Sequence, residues 1–161
     1  MFFGFGKKKK NISIIAPMTG KAVLLEEVPD AAFSQKIIGD GIAVEPTEGI
    51  LIAPFDGEVI HLIDTHHSLV LGHESGLELL VHIGVNTVSL QGKPFKTYVK
   101  SGDKVKKGQT LIEFDIAQIK EAGLPVITPI IVANGDVVAE LKVNTGAVTA
   151  GSGELMAITM K

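Results

Sequence analysis

No long stretch of this chain keeps a helical hydrophobic period. From residue 11 onward, short apolar runs such as ISIIAP, KAVLLEEV, GIAVEP, GILIAPFDGEVIHLI, SLVLG and GLELLVHIGV are interrupted by Pro, Gly, Asp and Ser. Runs this short, closed by turn-forming residues, suit strands, whose side chains alternate faces residue by residue. At 161 residues the chain is long enough for one solid core and short for two. The texture predicts an all-β fold, an intertwined antiparallel β-sandwich.

Two segments depart from the strand pattern. PDAAFSQ (29–35) reads as a single helical turn starting at Pro29. In DIAQIKEAG (115–123), Asp115 can cap, Lys120 lies in the last turn and Gly123 closes a short helix. An internal echo joins APMTGKAV (16–23) to APFDGEVI (53–60), which suggests two related β-elements packed against each other.

Composition excludes several kinds of function. There is no cysteine, so disulfides, thiolate zinc sites and cysteine nucleophiles are ruled out, and a reducing cytoplasm is the expected setting. A net charge of −3 with a pI near 5.9 lacks the basic stripe that phosphate backbones require, so no nucleic-acid partner is expected. No run approaches the roughly 18 apolar residues of a membrane span. Residues 1–10, MFFGFGKKKK, set three Phe rings before four lysines. They read as a flexible terminal segment with at most weak, reversible contact to an anionic membrane surface. Residues 11–161 are expected to form a single β-domain.

The run LELLVHIGVNTV (77–88) carries the chemistry. Its odd positions, Leu77, Leu79, Val81, Ile83 and Val85, form an apolar core face. His82 stands on the opposite face with Leu80, next to Gly84, where the missing side chain leaves room for a ligand or another backbone. If GHESG (72–76) closes an antiparallel hairpin, paired residue numbers sum to about 147 to 149, and a sum of 149 sets His67 directly opposite His82. Two adjacent imidazoles cannot both be comfortably cationic, so at least one keeps a free nitrogen lone pair, which is a nucleophile. His61 and His66 flank the Asp64-Thr65 turn and His73 sits at the hairpin tip, and all three read as solvated loop residues.

The segment GLELLVHIGVNTV (76–88) resembles the active-site signature of the glucose-family enzyme IIA component of the bacterial sugar phosphotransferase system. The likeness extends through VPDAAFSQKIIGDGIAVEPTEG (28–49), DTHHSLVL (64–71), KSGDKVKKGQTLIEFD (100–115) and TPIIVAN (128–134). It implies an antiparallel β-sandwich of interleaved barrel-sandwich hybrid elements. It also implies a phosphoryl relay from the phosphohistidine of the histidine-containing phosphocarrier protein to a cysteine of enzyme IIB. By that resemblance His82 is the phosphorylated residue, His67, fifteen positions earlier, is the second active-site histidine, and Thr65 supplies a hydroxyl that holds the pair.

The same likeness places Asp30, Phe33, Ile63, Leu80 and Asn86 at a partner-binding face, Asn86 standing where the family often has Asp. Read from the residues alone, Asp30 and Phe33 form a capped turn with an anchoring ring. No cofactor is required. Zinc between His67 and His82 would need a carboxylate from a partner, since two protein ligands do not complete a site. The chain reads as a free-standing component that serves permeases and binds possible regulatory targets according to its phosphorylation. The alternative is a biotinyl or lipoyl carrier domain, suggested by KSGDKVKKGQTLIEFD; the absence of Met-Lys-Met argues against it.

Overall fold

The computed structural model describes residues 10–161. In chain order its strands are β1 (Asn11–Ile15), β2 (Gly20–Leu24), β3 (Gly41–Pro46), β4 (Ile50–Ile52), β5 (Gly57–Leu62), β6 (Ser68–His73), β7 (Glu78–His82), β8 (Phe95–Thr97), β9 (Lys104–Val105), β10 (Thr110–Phe114), β11 (Thr128–Val132), β12 (Val138–Val143), β13 (Gly146–Val148) and β14 (Glu154–Met160). Two short helices interrupt them, α1 (Ala31–Ser34) and α2 (Ile116–Glu121).

Every strand pair is antiparallel. An eight-stranded sheet runs β13-β2-β3-β11-β7-β6-β5-β9, with two three-stranded sheets, β1-β14-β12 and β4-β10-β8. The small sheets contribute Ile14, Met156, Leu51 and Ile112 to one apolar cluster, which also takes Ile42, Leu71, Leu79 and Val81 from the large sheet. This is the sandwich core, and burial of its side chains is the main source of stability. The expected all-β sandwich is present.

The middle of the large sheet is covered on its other face as well. Between β2 and β3 the chain leaves the sheet, makes a 3-10 turn at Leu25–Glu27 and then α1, and folds over the outer face. Leu25, Val28 and Phe33 from this excursion pack on Val23, Ala43, Ile127 and Ile131 in a second, smaller core. Both faces of β11 are therefore apolar, and all five of its residues are buried.

Both helix sites follow the sequence signals, with one adjustment. Asp115 Oδ1 accepts the Gln118 amide hydrogen at 3.0 Å, and Gly123 follows α2 with φ +79°. At α1 it is Asp30 that caps, accepting from Ala32 N–H at 2.9 Å, so Pro29 lies just outside the turn. The internal echo is real, but its members do not pack side by side. β2 and β5 take second-from-edge positions at opposite ends of the large sheet, each flanked by its own short edge strand. Gly20 pairs with Val148 and Gly57 with Val105. Thr19 Oγ1 accepts the Ala150 amide hydrogen at 3.0 Å, just as Asp56 Oδ1 accepts that of Lys107 at 2.8 Å. The two segments thus occupy corresponding positions at opposite ends of one sheet, which keeps them apart.

The terminal segment expected over residues 1–10 lies, up to residue 9, outside the described residues. Lys10 is already tied to the fold, its carbonyl accepting the Met160 amide hydrogen at 2.8 Å.

Candidate functional site

β6 and β7 form the hairpin expected around GHESG, and Gly76 turns it with φ +97°. Its register differs by one residue from a sum of 149, because Ser68, not His67, lies opposite His82. On a regular strand that shift would send the two imidazoles to different faces. They meet all the same, with ring centroids 4.8 Å apart and planes inclined at 77°. The reason is that His67 precedes the first residue of β6. The Ile63–His66 turn closes through a 2.8 Å bond from His66 N–H to the Ile63 carbonyl, and His66 takes the left-handed conformation, φ +61°. That change of direction frees His67 from strand alternation. Its carbonyl still accepts the Ile83 amide hydrogen at 2.7 Å, fastening it to the end of β7.

The face of β7 is as the alternation predicts. Leu77, Leu79, Val81 and Ile83 are fully buried, whereas Leu80 and His82 are half-buried on the other side. His82 Nδ1 lies 2.7 Å from the Gly84 carbonyl oxygen. A carbonyl only accepts, so Nδ1 carries the proton, and in the neutral ring Nε2 holds a free lone pair. The room beside Gly84 is filled by the protein itself. A Cβ there would come within 2.6 Å of Thr87 Cγ2 and 2.8 Å of the Pro125 carbonyl, and φ is +76°. Glycine at this position serves a tightly held turn, not ligand access.

His67 is 3% exposed, and its Nδ1 sits 2.8 Å from the Thr65 hydroxyl. Burial, then the neighbouring His82, push its pKa down to about 4, with a backbone contact to Thr65 working the other way. Burial also lowers the His82 pKa, partly offset by the Gly84 carbonyl and by the charge of Asp30. Both rings are therefore neutral near pH 7.

Around the pair, Phe33 is buried, with its ring centroid 5.2 Å from that of His82 at 54°. Asp30, Ile63 and Leu80 are half-buried, and Asn86 is exposed. Asn86 holds φ +61° and ψ +22°, a left-handed conformation that asparagine tolerates better than most residues, and its side chain does not cap the 3-10 turn Thr87–Leu90. Ile37, Ile38 and Val88 are exposed to 70%, 42% and 48% on the segments that follow Phe33 and Asn86. Neither strand alternation nor the turn pattern singles them out. The available signal was an Ile-Ile pair in a loop next to Gly39, where burial has no use for it.

Of the other histidines, His61 is exposed on β5 and His66 shapes the turn beside Thr65. His73 is not a free loop residue: it ends β6, packs edge-on against Phe55 at 5.0 Å and bonds Ser75. A cavity of about 590 Å³ lies at that far end of β6, lined by His73, Asp56, Glu58 and Lys104. Neither His67 nor His82 lines that cavity. Among the described residues no group of three or more His, Asp or Glu is placed to hold a metal ion.

The model of one protein family, described as phosphoenolpyruvate-dependent sugar phosphotransferase system, EIIA 1, matches residues 12–138. The chain belongs to that family. Across 160 residues this EIIA is 42% identical to the PTS system glucose-specific EIIA component of Bacillus cereus, covering 99% of this chain and 97% of the relative. It is 41% identical over 145 residues to the component of the same name from Borreliella burgdorferi, covering 90% of this chain and 77% of that one. The glucose permease IIA of Mycoplasma capricolum superposes with a TM-score of 0.86 at 32% identity, covering 91% of this chain and 96% of the other.

This EIIA is thus a phosphotransferase relay component that accepts a phosphoryl group from the histidine-containing phosphocarrier protein and passes it to enzyme IIB. The carrier-domain alternative is not favoured, and the strand-turn-strand of β9 and β10 that prompted it is part of the EIIA sandwich.

Proposed function

We propose that Nε2 of His82 is the atom that carries the phosphoryl group. The observation behind this is the 2.7 Å contact that commits Nδ1 to the Gly84 carbonyl, leaving Nε2 unprotonated beside His67. In transfer, the P–N bond of the donor phosphohistidine breaks as the P–Nε2 bond forms, through a loose, in-line transition state whose charge is spread over the phosphoryl oxygens. Catalysis is then mostly a matter of position and electrostatics. With its Nδ1 accepting from the Thr65 hydroxyl, a neutral His67 has Nε2–H left to donate to a phosphoryl oxygen. The apolar surroundings slow attack by water on the phosphohistidine, so the group is held until enzyme IIB takes it on a cysteine.

Asp30, Ile63, Leu80 and Asn86 rim the pair on this reading and meet the partner proteins. Asn86 offers a hydrogen bond without a charge, which weakens electrostatic steering of the encounter. The relatives named glucose-specific support a glucose permease as the recipient. The relay needs no cofactor, and zinc enters only as a bridge completed by a partner's carboxylate. The protein works in the cytoplasm, its residues 1–10 making at most weak membrane-surface contact, and its phosphorylation state governs any regulatory binding.

The test is incubation with enzyme I, the phosphocarrier and phosphoenolpyruvate, followed by mapping of acid-labile phosphate. Label is expected on His82 and absent in His82→Ala. His67→Ala is expected to accept phosphate but deliver it poorly. Label on His67 alone would reverse the two roles.

A further inference from the structure

We infer that Phe33 is a positioning residue for His82: its ring is the fixed wall that, together with His67, holds the imidazole in its reactive orientation. This rests on the reading of His82 as the phosphoryl acceptor. A residue that anchors a partner should present its side chain to solvent. Phe33 is only 4% exposed, less than half-buried Leu80 beside it. Its ring is committed inward twice. One side belongs to the small core with Leu25, Val28 and Ile131, and another meets the His82 imidazole at 5.2 Å.

The geometry gives that contact a function. His82 terminates β7, so no following strand residue restrains its ring. What restrains it is the Gly84 carbonyl at Nδ1, the His67 ring at 4.8 Å and the Phe33 ring. The hydrogen bond alone leaves the imidazole free to swing about it, whereas two aromatic neighbours at 4.8 and 5.2 Å restrict that freedom. Phe33 also displaces water from His82, and burial is the leading reason its pKa is lowered. The charged and titratable groups near His82 are Asp30 at the start of α1 and His67 before β6; Phe33 adds no charge, so its influence on the ring is through desolvation and contact.

The discriminating variants are Phe33→Leu, which keeps an apolar side chain in the small core, and Val28→Ala, which loosens that core without touching His82. The measurements are the His82 pKa and tautomer by imidazole nitrogen NMR in the unphosphorylated protein, hydrolysis of the phosphohistidine, and KM and kcat with the phosphocarrier. In Phe33→Leu the His82 pKa is expected to rise toward 6.5, the Nδ1–H tautomer to lose its dominance and hydrolysis to quicken several-fold, with kcat falling more than KM rises. Val28→Ala should lower the thermal midpoint while leaving the His82 readouts unchanged. A raised KM in Phe33→Leu with pKa, tautomer and hydrolysis as in wild type would make Phe33 a partner anchor and overturn the inference, as would equal His82 shifts in Val28→Ala. The NMR arm does not depend on phosphoryl transfer. Failure of the relay reading is seen separately, as wild type that takes no label on His82.

Discussion

The His82 ring is held by the Gly84 carbonyl, the His67 ring and the Phe33 ring, and these neighbours could be read only in part from the sequence. Alternation along β7 was enough to set His82 apart from the core, because a strand face is a local property. The pairing with His67 was legible as a neighbourhood and wrong by one in register, since the left-handed turn that reorients His67 is made by His66, a residue that does not advertise φ +61° as Gly or Asn would. Gly84 gives a sharp test at this scale. In Gly84→Ala the new Cβ cannot coexist with Thr87 and the Pro125 carbonyl, so the carbonyl that fixes Nδ1 must move. Strain of this sort costs about 1 to 3 kcal/mol, and misplacing the nucleophile should slow phosphorylation roughly a hundredfold. Urea unfolding and the initial rate of labelling read the two effects separately. The buried pair also predicts a pH dependence. His67 titrates near 4 when folded, against about 6.5 when unfolded. Between those values the unfolded chain binds the extra proton, so stability is full above about 6.5 and falls as pH drops toward 4. His82, shifted the same way, adds to this slope. Urea midpoints measured from pH 7 to 4 should decline, and His67→Gln should flatten the decline.

Among the elements, the two helical turns were the most legible, because each begins at an aspartate whose carboxylate satisfies an open amide. The 3-10 turn at Thr87–Leu90 was not, since its Asn86 side chain makes no capping bond that a pattern could reveal. Nor was the role of the excursion from Leu25 to α1, whose first part, in KAVLLEEV, reads as a strand run and whose second reads as a lone helical turn, but which carries a small core of its own. The two caps resemble each other chemically and differ in what they touch. Asp115→Ala should cost about 1 kcal/mol and leave phosphoryl acceptance as it was, since the bonding and stacking partners of the two imidazoles are Thr65, Gly84, Phe33 and Phe95 and none belongs to α2. Asp30→Asn keeps a capping oxygen but removes a charge that favours protonated His82, so the His82 pKa should fall below its wild-type value. NMR titration of the His82 ring distinguishes the two: a shift of equal size in Asp115→Ala would mean the caps act through stability and not through charge.

For the whole molecule, the sandwich could be foreseen from strand texture, but the order β13-β2-β3-β11-β7-β6-β5-β9 could not, because it joins strands from opposite ends of the chain. The echo between residues 16–23 and 53–60 was its one local trace. The short edge strand beside β2 is supplied from residues 146–148, and β1 pairs with β14, so the first strands of the chain are completed by the C-terminal segment. This makes the histidine pair depend on residues far from it. A chain ending at residue 153 lacks β14, and with it Leu155, Met156, Ile158 and Met160, all buried in the main core. At about 2 kcal/mol each, their loss removes roughly 8 kcal/mol, comparable to the whole stability of an ordinary domain. β1 and β12 would also lose their only strand partner in the small sheet. The truncated chain should therefore show no cooperative unfolding transition and take no label from the phosphocarrier, although β6, β7 and both histidines remain. Circular dichroism in urea together with the labelling assay tests this, and a truncated protein that unfolds cooperatively and still labels His82 would mean that the β6–β7 hairpin and its immediate neighbours suffice to build the site.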